Sequence, residues 1–109
     1  GFLSTSGDLA KFGSSIIKEG LLRGETLNAL FSPAKTIKGE ITPFALGFRV
    51  TKLPDGGEVI LQRGGGVGIS SVLYIDRKRN LSLAILSNRT FVPIGNLTML
   101  QEFADSYFR

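Results

Sequence analysis

Glu58 to Ser87 read EVILQRGGGVGISSVLYIDRKRNLSLAILS, in which runs rich in Val, Ile, Leu and Tyr alternate with turn-forming residues. With one earlier run, the pattern predicts four strands, at Leu46 to Leu53, Glu58 to Arg63, Gly68 to Asp76 and Leu81 to Ser87. The links are Pro54-Asp55-Gly56-Gly57, Gly64-Gly65-Gly66 and Arg77-Lys78-Arg79-Asn80. Because these links are short, we expect antiparallel pairing. The nearly continuous apolar content of the last strand indicates cover on both of its faces.

Before Pro43 and after Pro93 the apolar spacing is helical. It predicts helices at about Gly7 to Glu19, Glu25 to Phe31 and Ile94 to Phe108, and a loop from Ala34 to Phe44. The expected fold is α+β, with an antiparallel sheet of three to four strands. We expect the C-terminal helix to pack on one face of this sheet and the first helix to flank it. Residues 1–109 are expected to form one unit.

Composition excludes several classes of function. The chain has 109 residues, a net charge of +4, no His and no Cys. A disulfide framework, a thiolate or imidazole metal site and a Ser-His-Asp triad are therefore impossible, and we expect neither metal nor cofactor. No block of basic residues favours a nucleic-acid partner, and no apolar run approaches the length of a membrane span. Because the chain opens without Met, we expect that residues preceding it have been removed or left out.

The glycine-rich run Arg63-Gly64-Gly65-Gly66-Val67-Gly68 is the first candidate site. It is not a dinucleotide-binding fingerprint, because Ile69 takes the place of the last glycine and a strand follows instead of a helix. Two interpretations stay open: a structural bulge at a sheet edge, or a backbone surface left clear for a ligand. Residue types alone favour the structural one.

Two other patterns are weaker. Ser-x-x-Lys, which can supply a nucleophile and a base, occurs at Ser15 to Lys18 and at Ser32 to Lys35. Ser15 falls late in a predicted helix and Pro33 ends another, so we interpret both serines as surface or capping residues. We interpret the basic turn Arg77-Lys78-Arg79 as a solvated loop end and not as a phosphate site.

Several segments, taken in order, resemble one known family. They are Gly1 to Phe12, Leu46-Gly47-Phe48, Gly64 to Ser71 and Leu83 to Asn88. Together they resemble the C-terminal part of the serine β-lactamase and penicillin-binding-protein superfamily, in its class C-like, D-Ala-D-Ala carboxypeptidase and esterase branch. The resemblance covers nearly the whole chain and implies the C-terminal portion of a β-lactamase-like domain.

The family's third motif reads Lys-Thr-Gly, His-Thr-Gly or His-Ser-Gly, with a glycine six residues after the basic one. Counting back from Gly68 places Gln62-Arg63-Gly64 on this motif, so Gln62 replaces the family's Lys or His. A shift by one residue gives Arg63-Gly64-Gly65 and restores a cation, which can attract a substrate carboxylate. The resemblance implies that Gln62, Arg63, Gly64 and Gly65 bind substrate, with the Gly65 N–H in the oxyanion hole.

The family's nucleophilic Ser-x-x-Lys and its Tyr-x-Asn lie upstream of the matched segments. Neither Tyr74 nor Tyr107 is followed by Asn two residues later, so no catalytic residue is expected in this chain and it should be inert alone. The resemblance implies the C-terminal part of a serine hydrolase that cleaves small-molecule amides or esters through an acyl-enzyme. A non-catalytic relative with a binding or structural role is the alternative, favoured by Gln62 and Arg63.

The resemblance also bears on partners and compartment. In the family, the strand equivalent to Leu81 to Ser87 pairs with a strand from the N-terminal part, which is absent from these residues. The expected partner is therefore the N-terminal part of the same protein, or a second copy, at this sheet edge. The family suggests a bacterial periplasmic or extracellular location, and a cytoplasmic one stays open.

Overall fold

A computed structural model describes residues 2–109 of the chain. Its elements in order are α1 (Ser6–Ile17), α2 (Gly24–Phe31), β1 (Val50–Lys52), β2 (Glu58–Gly66), β3 (Ile69–Asp76), β4 (Leu81–Ser87) and α3 (Leu97–Tyr107). The strands form one antiparallel sheet in the order β1-β2-β3-β4. The predicted α+β fold is thus confirmed. Within residues 2–109, no helix combines the length and apolar character needed to cross a membrane.

Helices cover both faces of the sheet. Alternate residues of each strand point to opposite faces, and apolar side chains on both faces pack against helices. On one face α3 packs through Leu100 and Ala104, in a cluster with Val59, Leu61, Val72, Tyr74 and Leu81. On the other face α1 and α2 pack, in a cluster of Ile16, Leu27, Phe31, Ile60, Leu73 and Ile75. The first helix therefore packs on the face opposite α3.

Capping explains where α1 and α3 begin and end. The Thr5 hydroxyl accepts a hydrogen bond from the Asp8 N–H at 3.1 Å, so α1 begins at Ser6. It ends at Ile17, two residues before the predicted end, and Glu19 takes a left-handed conformation with φ of 56°. The Asn96 side chain accepts from the Met99 N–H, so α3 begins at Leu97 and not at the predicted Ile94.

The first predicted strand is wrong over its first half. It was expected from Leu46 to Leu53, whereas β1 covers only Val50–Lys52. Gly47 has a φ of 82°, which is incompatible with an extended strand, and the chain bends there so that Phe44 and Arg49 form an isolated bridge. The apolar run is thus divided between a turn and a short edge strand.

Helix α1 approaches β4 very closely at Gly13. A Cβ atom at this position would overlap the Ser82 hydroxyl oxygen and lie 3.3 Å from Ile75 Cγ1. Only glycine allows this approach without displacement of the helix. Within residues 2–109, the Ser82 hydroxyl is buried without a hydrogen-bond partner.

Candidate functional site

The glycine run is part of a strand and does not link two strands. Gly64, Gly65 and Gly66 pair with Ser71, Ser70 and Ile69, so β2 is three residues longer than predicted. The turn consists of Val67 and Gly68 alone, and Gly68 supplies the positive φ, 74°, that the second central residue of a type II turn requires. The predicted link is therefore wrong, because the hairpin needs only two residues and the glycines pair through their backbone.

The backbone of β2 has an open edge beside this run. The Leu61 N–H donates to the Arg49 carbonyl at 2.8 Å, on the side away from β3. Backbone groups in an antiparallel ladder alternate in direction, so those of Arg63 and Gly65 point to the same side as Leu61. Among residues 2–109, β1 pairs with β2 only opposite residues 58–60. The N–H and C=O groups of Arg63 and Gly65 therefore face outward beyond the end of β1.

Gly65 is unobstructed at this edge. The residue is exposed, and a Cβ atom built on it would have no heavy atom within 4 Å. A ligand can therefore approach its backbone closely. Gly64 differs, because its backbone groups point toward β3, opposite Ser71.

Gln62 and Arg63 point to opposite faces of the sheet. Arg63 shares the face of Leu61 and α3, and its Nη2 donates to the carbonyl of Gly95, just before α3. A Cβ atom on Gly95 would lie 2.5 Å from Arg63 Nε, so glycine leaves the space that this arginine uses. Gln62 is exposed on the face of Ile60. Of the four predicted site residues, Arg63 and Gly65 thus have outward-facing backbone groups. The side chains of Gln62 and Arg63 diverge.

Neither Ser-x-x-Lys pattern forms a nucleophile and base pair here. The Ser32 hydroxyl donates to the Asn28 carbonyl at 2.7 Å and closes the end of α2. Ser15 is half-buried within α1. In the part of the chain that the structure describes, no hydrogen bond joins Ser15 to Lys18 or Ser32 to Lys35.

Arg77 and Lys78 of the turn between β3 and β4 are exposed, and Arg79 is half-buried. Arg77 donates to the Asn28 side chain at 3.3 Å and lies 5.6 Å from the Phe31 ring centroid, so it is attached to α2. Arg79 is attached to α3, since its Nη1 lies 2.5 Å from Asp105 Oδ1. These partners are distant in sequence, which is why the local pattern did not indicate them.

Sequence reasoning missed a buried polar cluster around Arg79. Arg79 Nε lies 2.7 Å from Oδ2 of Asp76, whose exposure is 3%, and Nη2 lies 3.5 Å from the hydroxyl of the fully buried Tyr74. Burial raises the pKa of the Tyr74 phenol, and the hydrogen bond to Asp76 raises the pKa of the Arg79 guanidinium. A cleft of about 360 Å³ adjoins the cluster.

This cluster belongs to the scaffold. Asp76 lies at the opposite end of β3 from Ser70. The rise per residue of a β-strand puts the two residues about 20 Å apart. Asp76 also accepts a hydrogen bond from the Arg79 N–H at 3.0 Å, which closes the β3–β4 turn. Its charges are paired with one another, and they tie the turn to α3.

The outer edge of β4 is the second open edge of the sheet. The alternation that directs Leu81, Leu83 and Ile85 toward β3 leaves the backbone groups of Ser82, Ala84 and Leu86 facing outward. A groove of about 680 Å³ follows part of this edge, with Ala10 and Ser14 of α1 on one side and Phe103 and Tyr107 of α3 on the other. Unpaired backbone groups at a sheet edge are able to pair with another strand.

Comparison with known proteins gives both a sequence similarity and a structural similarity. Penicillin-binding protein 4* of Bacillus subtilis (strain 168) is 26% identical over 88 residues, which span 79% of this chain and 19% of that protein. The crystal structure of a D-stereospecific amidohydrolase from Streptomyces sp. matches with a TM-score of 0.68 and 28% identity, covering 91% of this chain and 29% of that one. No family model matches the sequence.

The fold, the sequence similarity and the structural match point to the same class of protein. The chain is similar in sequence and in fold to proteins of the β-lactamase and penicillin-binding-protein-like superfamily. It spans less than a third of the length of either relative.

Proposed function

We propose that this chain is the C-terminal part of a β-lactamase-like serine hydrolase, which cleaves small-molecule amide or ester bonds through an acyl-enzyme. Its contribution is one wall of the active site, with the Gly65 N–H as an oxyanion-hole donor. The nucleophile and base come from a segment outside these 109 residues, so the chain alone is inactive. The bacterial relatives support a bacterial source, and we propose a periplasmic or extracellular location.

The observation that carries the proposal is the outward-facing backbone of Gly65. An oxyanion donor must direct an N–H group into space that a substrate oxygen can occupy. The Gly65 N–H faces the open edge of β2, and a Cβ atom built on Gly65 would have no heavy atom within 4 Å. The carbonyls of Arg63 and Gly65 face the same side and can accept hydrogen bonds from a substrate amide, as in strand addition.

The partner in this proposal is a strand from the rest of the polypeptide, seated on the outer edge of β4. Strand addition there would satisfy the outward backbone groups of Ser82, Ala84 and Leu86. It would also cover Phe103 and Tyr107, which are 53% and 74% exposed in the groove. A second copy of the chain is the alternative occupant.

A non-catalytic relative is the second candidate. The side chain at the family's basic position is the neutral Gln62, and Arg63 is bound to the Gly95 carbonyl. Loss of the basic group would favour a protein that keeps the fold but binds ligand without turnover.

Intact-mass analysis of the complete protein separates these candidates. The protein is incubated with a β-lactam or a fluorophosphonate, and the serine hydrolase proposal predicts a covalent adduct on a serine outside this segment. The 109-residue chain alone, treated in the same way, should remain unmodified. A complete protein that binds the β-lactam reversibly but forms no adduct with either reagent would support the non-catalytic candidate.

A further inference from the structure

Ser70 is a buried polar residue directly opposite Gly65. Its exposure is 6%, and the two residues are Cα partners in the β2–β3 ladder. The Ser70 hydroxyl donates to the Arg89 carbonyl at 2.8 Å and accepts from the Val92 N–H at 3.1 Å. It therefore attaches both ends of a four-residue turn to β3.

This turn holds an unfavourable backbone conformation. Phe91 has a φ of 54°, although it is a bulky residue, and its side chain is 94% exposed. Left-handed backbone at such a residue persists only when its surroundings enforce it. The two Ser70 bonds flank Thr90 and Phe91 on either side and supply that constraint.

Two further hydrogen bonds join the same loop to the β2–β3 hairpin. The Thr90 hydroxyl accepts from the Gly68 N–H at 2.7 Å, and the Arg63 guanidinium donates to the Gly95 carbonyl. The loop between β4 and α3 is thus attached to the hairpin at its turn, at Ser70 and at Arg63.

We propose that Ser70 is a positioning residue, which holds this loop against the hairpin and thereby fixes the glycine strand that carries the Gly65 N–H. Three consecutive glycines have no side chains to pack, so the strand cannot order itself by side-chain contacts. A displacement of about 1 Å at a reacting group can cost a large factor in rate, so a donor on such a strand needs external support. The inference rests on the proposed role of Gly65.

The test is amide hydrogen exchange of the 109-residue chain, followed by mass spectrometry of segments 64–68 and 88–93. Ser70→Ala should accelerate exchange in both segments by about tenfold, while segments in α1 keep the wild-type rate. Ser71→Ala is the matched control, because Ser71 is the next residue on β3 and its side chain points to the opposite face. It should leave both segments unchanged.

Unchanged exchange in a folded Ser70→Ala variant would overturn the proposal, and so would equal acceleration in Ser71→Ala. If Ser70→Ala does not fold, Thr90→Val replaces it, because Thr90 is exposed and its substitution removes only the bond from Gly68. Exchange in segment 64–68 must then rise about threefold, and an unchanged rate would overturn the proposal.

In the complete enzyme, Ser70→Ala should lower kcat about tenfold with KM within about twofold, and Ser70→Thr should restore much of kcat. Because a smaller folded fraction would also lower the apparent kcat without changing KM, kcat is calculated per active site, with the sites titrated by the fluorophosphonate. If the complete protein is never acylated, the proposed function fails while the exchange result still tests Ser70. If it is acylated and Ser70→Ala keeps wild-type kcat, the positioning role is wrong.

Discussion

Single glycines fulfil different physical requirements in this chain. Gly68 supplies the left-handed conformation of the hairpin turn, and Gly13 allows α1 to approach β4. Gly65 meets neither requirement, since a Cβ atom there would contact nothing and its φ lies outside the left-handed region. Its backbone is consequently free to receive a ligand, which is why the proposed site depends on an N–H group and on no particular side chain.

Two glycines of α1 give opposite predictions for stability. Gly13→Ala should lower the free energy of unfolding by about 1–3 kcal/mol, because the added methyl group overlaps the Ser82 hydroxyl. Gly7→Ala should raise it by about 0.5–1 kcal/mol, because Gly7 is exposed and alanine favours the helix. Urea unfolding measures both. Equal stability of Gly13→Ala and the wild type would show that the helix does not approach β4 as described.

Tyr74 predicts a loss of stability in alkali. Burial raises its pKa above the ordinary value of 10.0, so the folded state retains the phenolic proton to a higher pH than the unfolded state does. The free energy of unfolding should therefore be unaffected by this group below pH 10 and fall as the pH rises from there through the folded pKa. Tyr74→Phe should remove that part of the decline in unfolding measured against pH. Tyr107→Phe, at an exposed tyrosine, is the control and should retain it.

At the scale of elements, Arg79 joins the β3–β4 turn to α3 through two unequal carboxylates. Asp76→Ala should lower the free energy of unfolding by about 2–3 kcal/mol, because it leaves Arg79 without its buried partner. The loss is smaller than for a fully buried ion pair, because the Arg79 side chain is 29% exposed. Asp105→Ala should cost about 1 kcal/mol or less, since the Asp105 side chain is 57% exposed. Thermal or urea unfolding compares the two variants. Equal losses would contradict the description of this cluster.

Periodicity predicted the elements whose pattern agrees with their environment. The apolar runs of β3 and β4 gave their bounds within one residue, and the spacing of α1 and α2 placed both helices. Local spacing did not reveal the turn at Gly47 within the first predicted strand. It also did not show that Gly64–Gly66 pairs, since glycine has low strand propensity and pairs here only through its backbone, opposite residues 69–71.

The candidate site was only partly accessible from the sequence. The spacing to Gly68 indicated the residues Gln62 to Gly65, but their directions depend on the alternation of the ladder and on where β1 ends. The attachment of Arg63 to Gly95 and of Ser70 to the turn at Phe91 joins residues 19 to 32 positions apart. Such contacts leave no local pattern, so they emerged only in the folded chain.

At the scale of the whole molecule, the open edge of β4 predicts association of the isolated chain. Sedimentation velocity should show concentration-dependent dimers or larger species, because β4 offers unpaired backbone groups beside apolar side chains. Leu86→Lys should shift the chain toward monomer, since a charge on an edge strand opposes pairing. Ile41→Lys is the control, because Ile41 is an exposed apolar residue away from β4, and it should leave the association unchanged.

A compact monomer at all concentrations would contradict this prediction. Hydrolysis of a chromogenic ester by that monomer would place the nucleophile within this chain.

The central claim is that the Gly65 N–H stabilises the oxyanion, and removal of that single group tests it most directly. Gly65→Pro deletes an N–H that faces away from β3, so the ladder keeps its hydrogen bonds, and Gly65→Ala keeps the N–H while adding a side chain in open space. The measurement is the acylation rate of the complete enzyme by a β-lactam or fluorophosphonate. The proposal predicts a loss of about 10²–10³-fold for Gly65→Pro and a nearly wild-type rate for Gly65→Ala. Acylation of Gly65→Pro at the wild-type rate, or an equal loss in both variants, would contradict it.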